Sequence, residues 1–203
     1  MIVYVESNFI LELAYLQEQQ ESCRATVELA EAGSIRLVLP AFSISEPYES
    51  FVRRYKERRA LLDRLQREIR ELSRSQPYTG VPEESAAITA TFVRSLEEEK
   101  ERLDEVTLRI LRCAESIPTT ADVLARAIEF QRGLIRSPQD AIVYASVLSH
   151  LERAGPAEKC FLNRNAGDFA DPDVEETLTK HRCKLLARFD HGLGYIRSQM
   201  ASR

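Results

Sequence analysis

Tryptophan is absent, glycine and proline number only 7 and 8 among 203 residues, and no apolar run approaches the length of a membrane-spanning helix. Average usage would put Gly and Pro near 12% together, so little of this chain is spent in loops, which excludes collagen-like and low-complexity classes. Disorder is excluded as well, because 44% hydrophobic residues suffice to bury a core. Neither sign of charge dominates: 28 Lys and Arg face 32 Asp and Glu, a net charge of −4. That excludes binding of nucleic acid through bulk positive charge, but not an enzyme whose acids gather in a site while its bases lie elsewhere. Cys23, Cys113, Cys160 and Cys183 are too far apart for a CxxC knuckle, and a soluble cytoplasmic protein with free thiols and no membrane partner is expected. His150, His181 and His191 lack metal-ligand spacing and are expected at the surface. There is no P-loop or GxSxG, and Gly192-Leu193-Gly194 lacks the rest of a dinucleotide fingerprint.

What is present alternates. Ile2-Val3-Tyr4-Val5 reads as a buried strand, Glu6 ends it, and Ser7-Asn8 offers capping side chains to a helix with Phe9, Ile10, Leu13 and Leu16 at helical spacing. A helix over Cys23–Ala32 should end at Gly33, followed by a strand at Ile35–Leu39 closed by Pro40. Short strands are also expected at Lys159–Leu162 and Cys183–Leu186, and Asp171-Pro172-Asp173 reads as a helix start. Strands alternating with helices predict an α/β fold, a three-layer sandwich around a central, mainly parallel sheet.

Between these elements, about Pro47–Ser75 and Glu83–Cys113 predict two long helices separated by a break at residues 76–82. Together they form a helical hairpin inserted at about residues 48–115 of one domain spanning 1–203. Arg53–Arg74 holds nine Lys and Arg against four Asp and Glu. Such a face is either a solvated, salt-bridged surface or one that holds a nucleic-acid backbone or a second protomer.

Four acids fall at strand ends or helix starts: Glu6, Glu46, Asp140 and Asp168. In open parallel sheets, ligands bind beyond the carboxyl ends of the strands, where these side chains can converge. Converging carboxylates repel one another, and a divalent cation with a taste for hard oxygen ligands, Mg²⁺ or Mn²⁺, relieves the repulsion. Each acid also has an ordinary reading. Ser43-Ile44-Ser45-Glu46 fits a capping box, Ser137-Pro138-Gln139-Asp140 has the same spacing, and Glu6 and Asp168 suit turns.

Ile2–Leu13, Pro40 with Glu46, Ser137–Ser146 and Phe161–Phe169 resemble, in order, the four motifs of the PIN-domain (PilT N-terminus) nucleases, a superfamily that includes toxins of bacterial toxin–antitoxin pairs. The resemblance covers roughly residues 1–52 and 115–190. Glu6 stands where most of the family has Asp, and the 48–115 region is longer than in the small toxins. The resemblance implies a metal-dependent endoribonuclease in which Glu6, Glu46, Asp140 and Asp168 hold Mg²⁺ or Mn²⁺. It further implies that Ser7, Asn8 and Asn165 orient carboxylates or phosphate oxygens, and that Arg164 meets the substrate, a single-stranded RNA. A homodimer and an antitoxin-like protein are the partners it suggests. The alternative it leaves is a catalytically inactive PIN-like module that binds RNA or protein.

Overall fold

Five short, largely aliphatic segments form one sheet in the computed structural model, which describes residues 1–135, 137–164, 169 and 171–201. They are β1 (Ile2–Tyr4), β2 (Arg36–Pro40), β3 (Ala114–Ile117), β4 (Lys159–Leu162) and β5 (Cys183–Leu186). Every pairing is parallel, in the spatial order β3-β2-β1-β4-β5. The flanking helices are α1 (Ser7–Ala14), α2 (Gln20–Glu31), α3 (Phe42–Leu72), α4 (Val81–Cys113), α5 (Ala121–Gln131), α6 (Pro138–Leu151), α7 (Pro172–Lys180) and α8 (Phe189–Ala201).

Strand alternation decides the layering. Val3, Val5, Leu37, Leu39, Cys160 and Leu162 enter one core with α1, α2, α8 and the lower parts of α3 and α4. Ile2, Tyr4, Val38 and Phe161 enter the other, with α5, α6 and α7. Because both faces are covered, the inner strands read as continuous apolar runs rather than alternating ones. The chain lays β2 and β3 on one side of β1 and then returns to place β4 and β5 on the other. Strand order therefore reverses between β1 and β4, and the crevice at their carboxyl ends is where such sheets bind ligands.

The expected helix signals operate where the backbone needs them. Ser137 Oγ accepts from the Asp140 N–H at 3.3 Å, and the Asp171 carboxylate accepts from the Asp173 N–H at 2.9 Å. Gly33, at φ +68°, turns the chain off α2 while its N–H donates to the Ala30 carbonyl at 2.9 Å. Two expectations needed correction. The expected strands do not include β3, an edge strand of only four residues, Ala-Glu-Ser-Ile, whose two central side chains are exposed. And α3 begins at Phe42 with Ala41 as its cap, so Pro47 lies inside the helix instead of opening it.

α3 and α4, about 46 and 50 Å long at 1.5 Å per residue, run antiparallel and are joined through a short 3₁₀ turn at Gln76–Tyr78. Tyr48 Oη donates to Asp104 Oδ1 at 2.9 Å near the base, and Arg58 Nη1 donates to Glu99 Oε1 at 2.8 Å further out. The basal part of α4 belongs to the sheet's own core, since Leu103 and Ile110 are buried there. Among the described residues no helix is long and apolar enough to cross a membrane. All four cysteines are free; Cys23, Cys160 and Cys183 are buried and Cys113 is half-buried.

Candidate metal centre

Glu6 ends β1 and caps α1: its extended backbone breaks the helix, and its own carboxylate, rather than a Ser7 or Asn8 side chain, accepts the Asn8 N–H at 2.9 Å. The residue is only 5% exposed, and its second oxygen, Oε1, is buried with no hydrogen-bond partner. Leaving a carboxylate oxygen in that condition costs free energy unless something else supplies positive charge. Burial pushes the Glu6 carboxyl up to about 8, opposed by the Asn8 N–H and raised further by the charges of Glu46 and Asp140. Two more carboxylates thus reach Glu6 electrostatically from separate elements, Glu46 near the start of α3 and Asp140 in the first turn of α6.

Glu46 does not close a capping box. Ser43 lies inside α3 with its hydroxyl buried and unpartnered, and the Glu46 carboxylate instead accepts the hydroxyl of buried Ser7. The box fails because its Ser must stand outside the helix in extended backbone, whereas α3 starts one residue before Ser43. Asp140 does stand in the box position, yet it is its backbone N–H that Ser137 caps. Its carboxylate remains in the field of Glu6. Glu46 and Asp140 therefore both act on Glu6 near the starts of α1, α3 and α6, and those helix N-termini favour negative charge. Asp168 and Asn165 lie outside the described residues.

The donors suit a hard divalent cation in kind: carboxylate oxygens, one of them buried and unsatisfied, carrying charge that raises the protonation of Glu6. In spacing they are looser. Among the described residues no three His, Cys, Asp or Glu side chains come together closely enough to hold a metal ion.

Arg164, expected to meet substrate, makes several contacts with α1 and the turn after it. Its guanidinium is tied to Glu12 Oε2 at 2.5 Å, to Gln17 Oε1 at 3.4 Å and to Glu18 Oε2 at 3.3 Å. The physical reason is Glu12, a carboxylate with no exposure at all, which needs an opposite charge to be buried. Sequence reading passed over Glu12, although a lone acid inside the apolar stretch Phe9-Ile10-Leu11-Glu12-Leu13-Ala14 is the signal for it. His150 is not a surface residue either. It sits between the Tyr4 hydroxyl, 2.7 Å from Nδ1, and Glu115, 3.1 Å from Nε2, and Glu115 also accepts from Arg36 at 2.6 Å.

The chain matches the sequence model of the PIN domain over residues 3–169. No curated protein matches it. Among solved structures, it is similar to a chain in the crystal structure of VapBC2 from Rickettsia felis bound to a DNA fragment from their promoter, at 15% identity and a TM-score of 0.45, covering 92% of this chain and 98% of that one. The five-stranded parallel sheet, the crevice between β1 and β4 and the family match over most of the sequence lead to one assignment: the chain belongs to the PIN-domain family, whose members are generally nucleases.

Proposed function

We propose that the protein is an endoribonuclease that hydrolyses phosphodiester bonds of single-stranded RNA with the help of Mg²⁺ or Mn²⁺, and that residues 1–203 form one PIN-type domain. The observation that carries this reading is the buried, unpartnered Oε1 of Glu6 in the field of Glu46 and Asp140 at the strand-order reversal. Glu6, Glu46 and Asp140 would hold the cation, with Asp168 completing the set by its place in the family pattern. When bound, the cation supplies a water of lowered pKa and positive charge against the phosphate. The protein's own residues do the rest. Asn8 holds Glu6 through its N–H and Ser7 holds Glu46 through its hydroxyl, so each carboxylate is fixed by a hydrogen bond from the start of α1. Asn165 is proposed to orient carboxylate or phosphate oxygens in the same way.

The direct test is cleavage of a labelled single-stranded RNA by purified protein, with Mn²⁺ and with EDTA. Metal-dependent cleavage that falls at least about 100-fold in Asp140→Asn, with the circular dichroism spectrum unchanged, is the expected result. Full activity in that variant would overturn the mechanism. A second reading is a PIN-like module without catalysis, favoured by the lack, among the described residues, of three such side chains close enough to hold a metal ion. That reading predicts no Mn²⁺ binding at millimolar concentration and undiminished partner binding in Glu6→Gln.

A further inference from the structure

Six cations of α3 face solvent. Arg53, Lys56, Arg59, Arg64, Arg67 and Arg70 are all exposed, and none makes an ion pair among the described residues. The two remaining cations of the helix, Arg54 and Arg58, turn inward to Glu99 at 3.7 and 2.8 Å, so the inner face of α3 is neutralised against α4. At about 100° per residue the six fall within an arc of about 140°, on the side of α3 away from buried Phe51 and Leu62. Three exposed acids share that arc, Asp63 and Glu71 along the row and Glu49 just before Arg53, so six cations there face three acids. It runs for about 26 Å along the helix axis. Glu46 lies on the same side, in line with Arg53 and Arg64 and about 10 Å before the first of them. One helix therefore carries a carboxylate of the candidate metal centre at its foot and a row of exposed cations leading away from it. The balance of charge is reversed on the other helix, where α4 has eight acids against five cations while α3 has six against eight.

We propose that the outward face of α3 is a docking track for the phosphodiester backbone of a single-stranded nucleic acid, which extends along the hairpin from a segment held at the Glu6, Glu46 and Asp140 crevice. Charge complementarity identifies the occupant. A row of separated, solvent-exposed cations that make no ion pair among the described residues suits a flexible polyanion that releases counterions on binding. The hairpin is thereby the part of the molecule that distinguishes long strands from short ones. The proposal rests on the nuclease reading only for the strand's path into the crevice; the track itself is read by binding alone.

The experiment is fluorescence anisotropy of a labelled 20-nucleotide uridine strand in EDTA, between 50 and 200 mM salt, with the full chain. The comparison is with Arg59→Glu/Arg64→Glu/Arg67→Glu and with the same triple substitution to Gln. The Glu variant is expected to bind at least about tenfold more weakly, with the slope of log affinity against log salt reduced by about 2. The Gln variant should fall in between, and both should melt like the wild type. A DNA strand of equal length should show the same loss, since phosphates carry the contact. In Mn²⁺, cleavage of a four-nucleotide RNA should be the same in wild type and variants while cleavage of the 20-mer falls; if nothing is cleaved, the nuclease reading fails and the binding result still decides the track. Unchanged affinity and slope in the Glu variant, or a loss confined to RNA, would overturn the proposal. So would salt-sensitive self-association of the wild type that the triple substitution abolishes without touching strand binding.

Discussion

At the scale of single residues, Glu6 is the side chain on which most depends, and its energetics have a definite sign. Its carboxyl is raised from an ordinary value of 4.5 to about 8 in the folded chain, chiefly by burial. Below pH 4.5 the group is protonated whether the chain is folded or unfolded, so its contribution is fully present there. As pH rises towards 8 the unfolded chain releases the proton while the folded one keeps it, and that contribution is lost. Metal-free protein should thus lose stability between pH 5 and 8, by as much as a few kcal/mol, and Glu6→Gln should flatten the curve. Urea unfolding in EDTA across that range checks it; a wild-type curve parallel to that of the variant would count against a buried, protonated Glu6. Glu6 was legible in the sequence as an acid after a strand, and Asp140 as an acid behind a Ser-Pro helix start. The pairing of Ser7 with Glu46 was not, because residues 39 apart meet only through the stacking of α1 against α3.

Elements add two places where one substitution should tell. Gly192 in α8 sits over β4 so closely that an added Cβ would stand 2.5 Å from Leu162 Cδ2. Leu162 has no exposure, and its Cδ1 and Cγ would also lie within 3.4 Å of that Cβ. Gly192→Val should cost about 2 kcal/mol or more, measured by chemical unfolding, despite the removal of a helix-weakening glycine. Glu99, 8% exposed, is the counter-charge that joins α3 to α4 through Arg58 and Arg54. Its replacement in Glu99→Ala strands two partly exposed guanidiniums and should destabilise the hairpin by about 1–3 kcal/mol, with amide exchange accelerating in α3 and α4 before it does in the strands. At this scale β1, β2 and β4 were readable because buried parallel strands are apolar on both faces, and β5, an edge strand, because Cys183, Leu185 and Leu186 still make a short apolar segment. β3 was not, because an edge strand with Glu115 and Ser116 exposed carries no such run and follows α4 without a breaker.

For the whole molecule, the net charge of −4 averages unlike parts: an acidic crevice at the sheet edge, a basic outer face on α3 and an acidic α4. The division between domain core and projection falls within the hairpin rather than at its base, because Leu103 and Ile110 of α4 and Phe51 of α3 are core residues. Replacing residues 64–90 by a short Gly-Ser turn should therefore leave thermal unfolding cooperative and metal binding intact while weakening strand binding; collapse of the fold would show that the distal hairpin is structural. The architecture was open to sequence reading because alternation and helix punctuation are local. The approach of Glu46 and Asp140 to Glu6, expected from the strand-end rule, is set by the order β3-β2-β1-β4-β5, which no local pattern encodes. The central claim is that these three carboxylates hold a divalent cation, and calorimetric titration of Mn²⁺ into the metal-free protein tests it most directly. Saturable binding that disappears in both Glu6→Gln and Asp140→Asn, with folding unchanged, is the predicted result; binding of equal strength in wild type and both variants would contradict it.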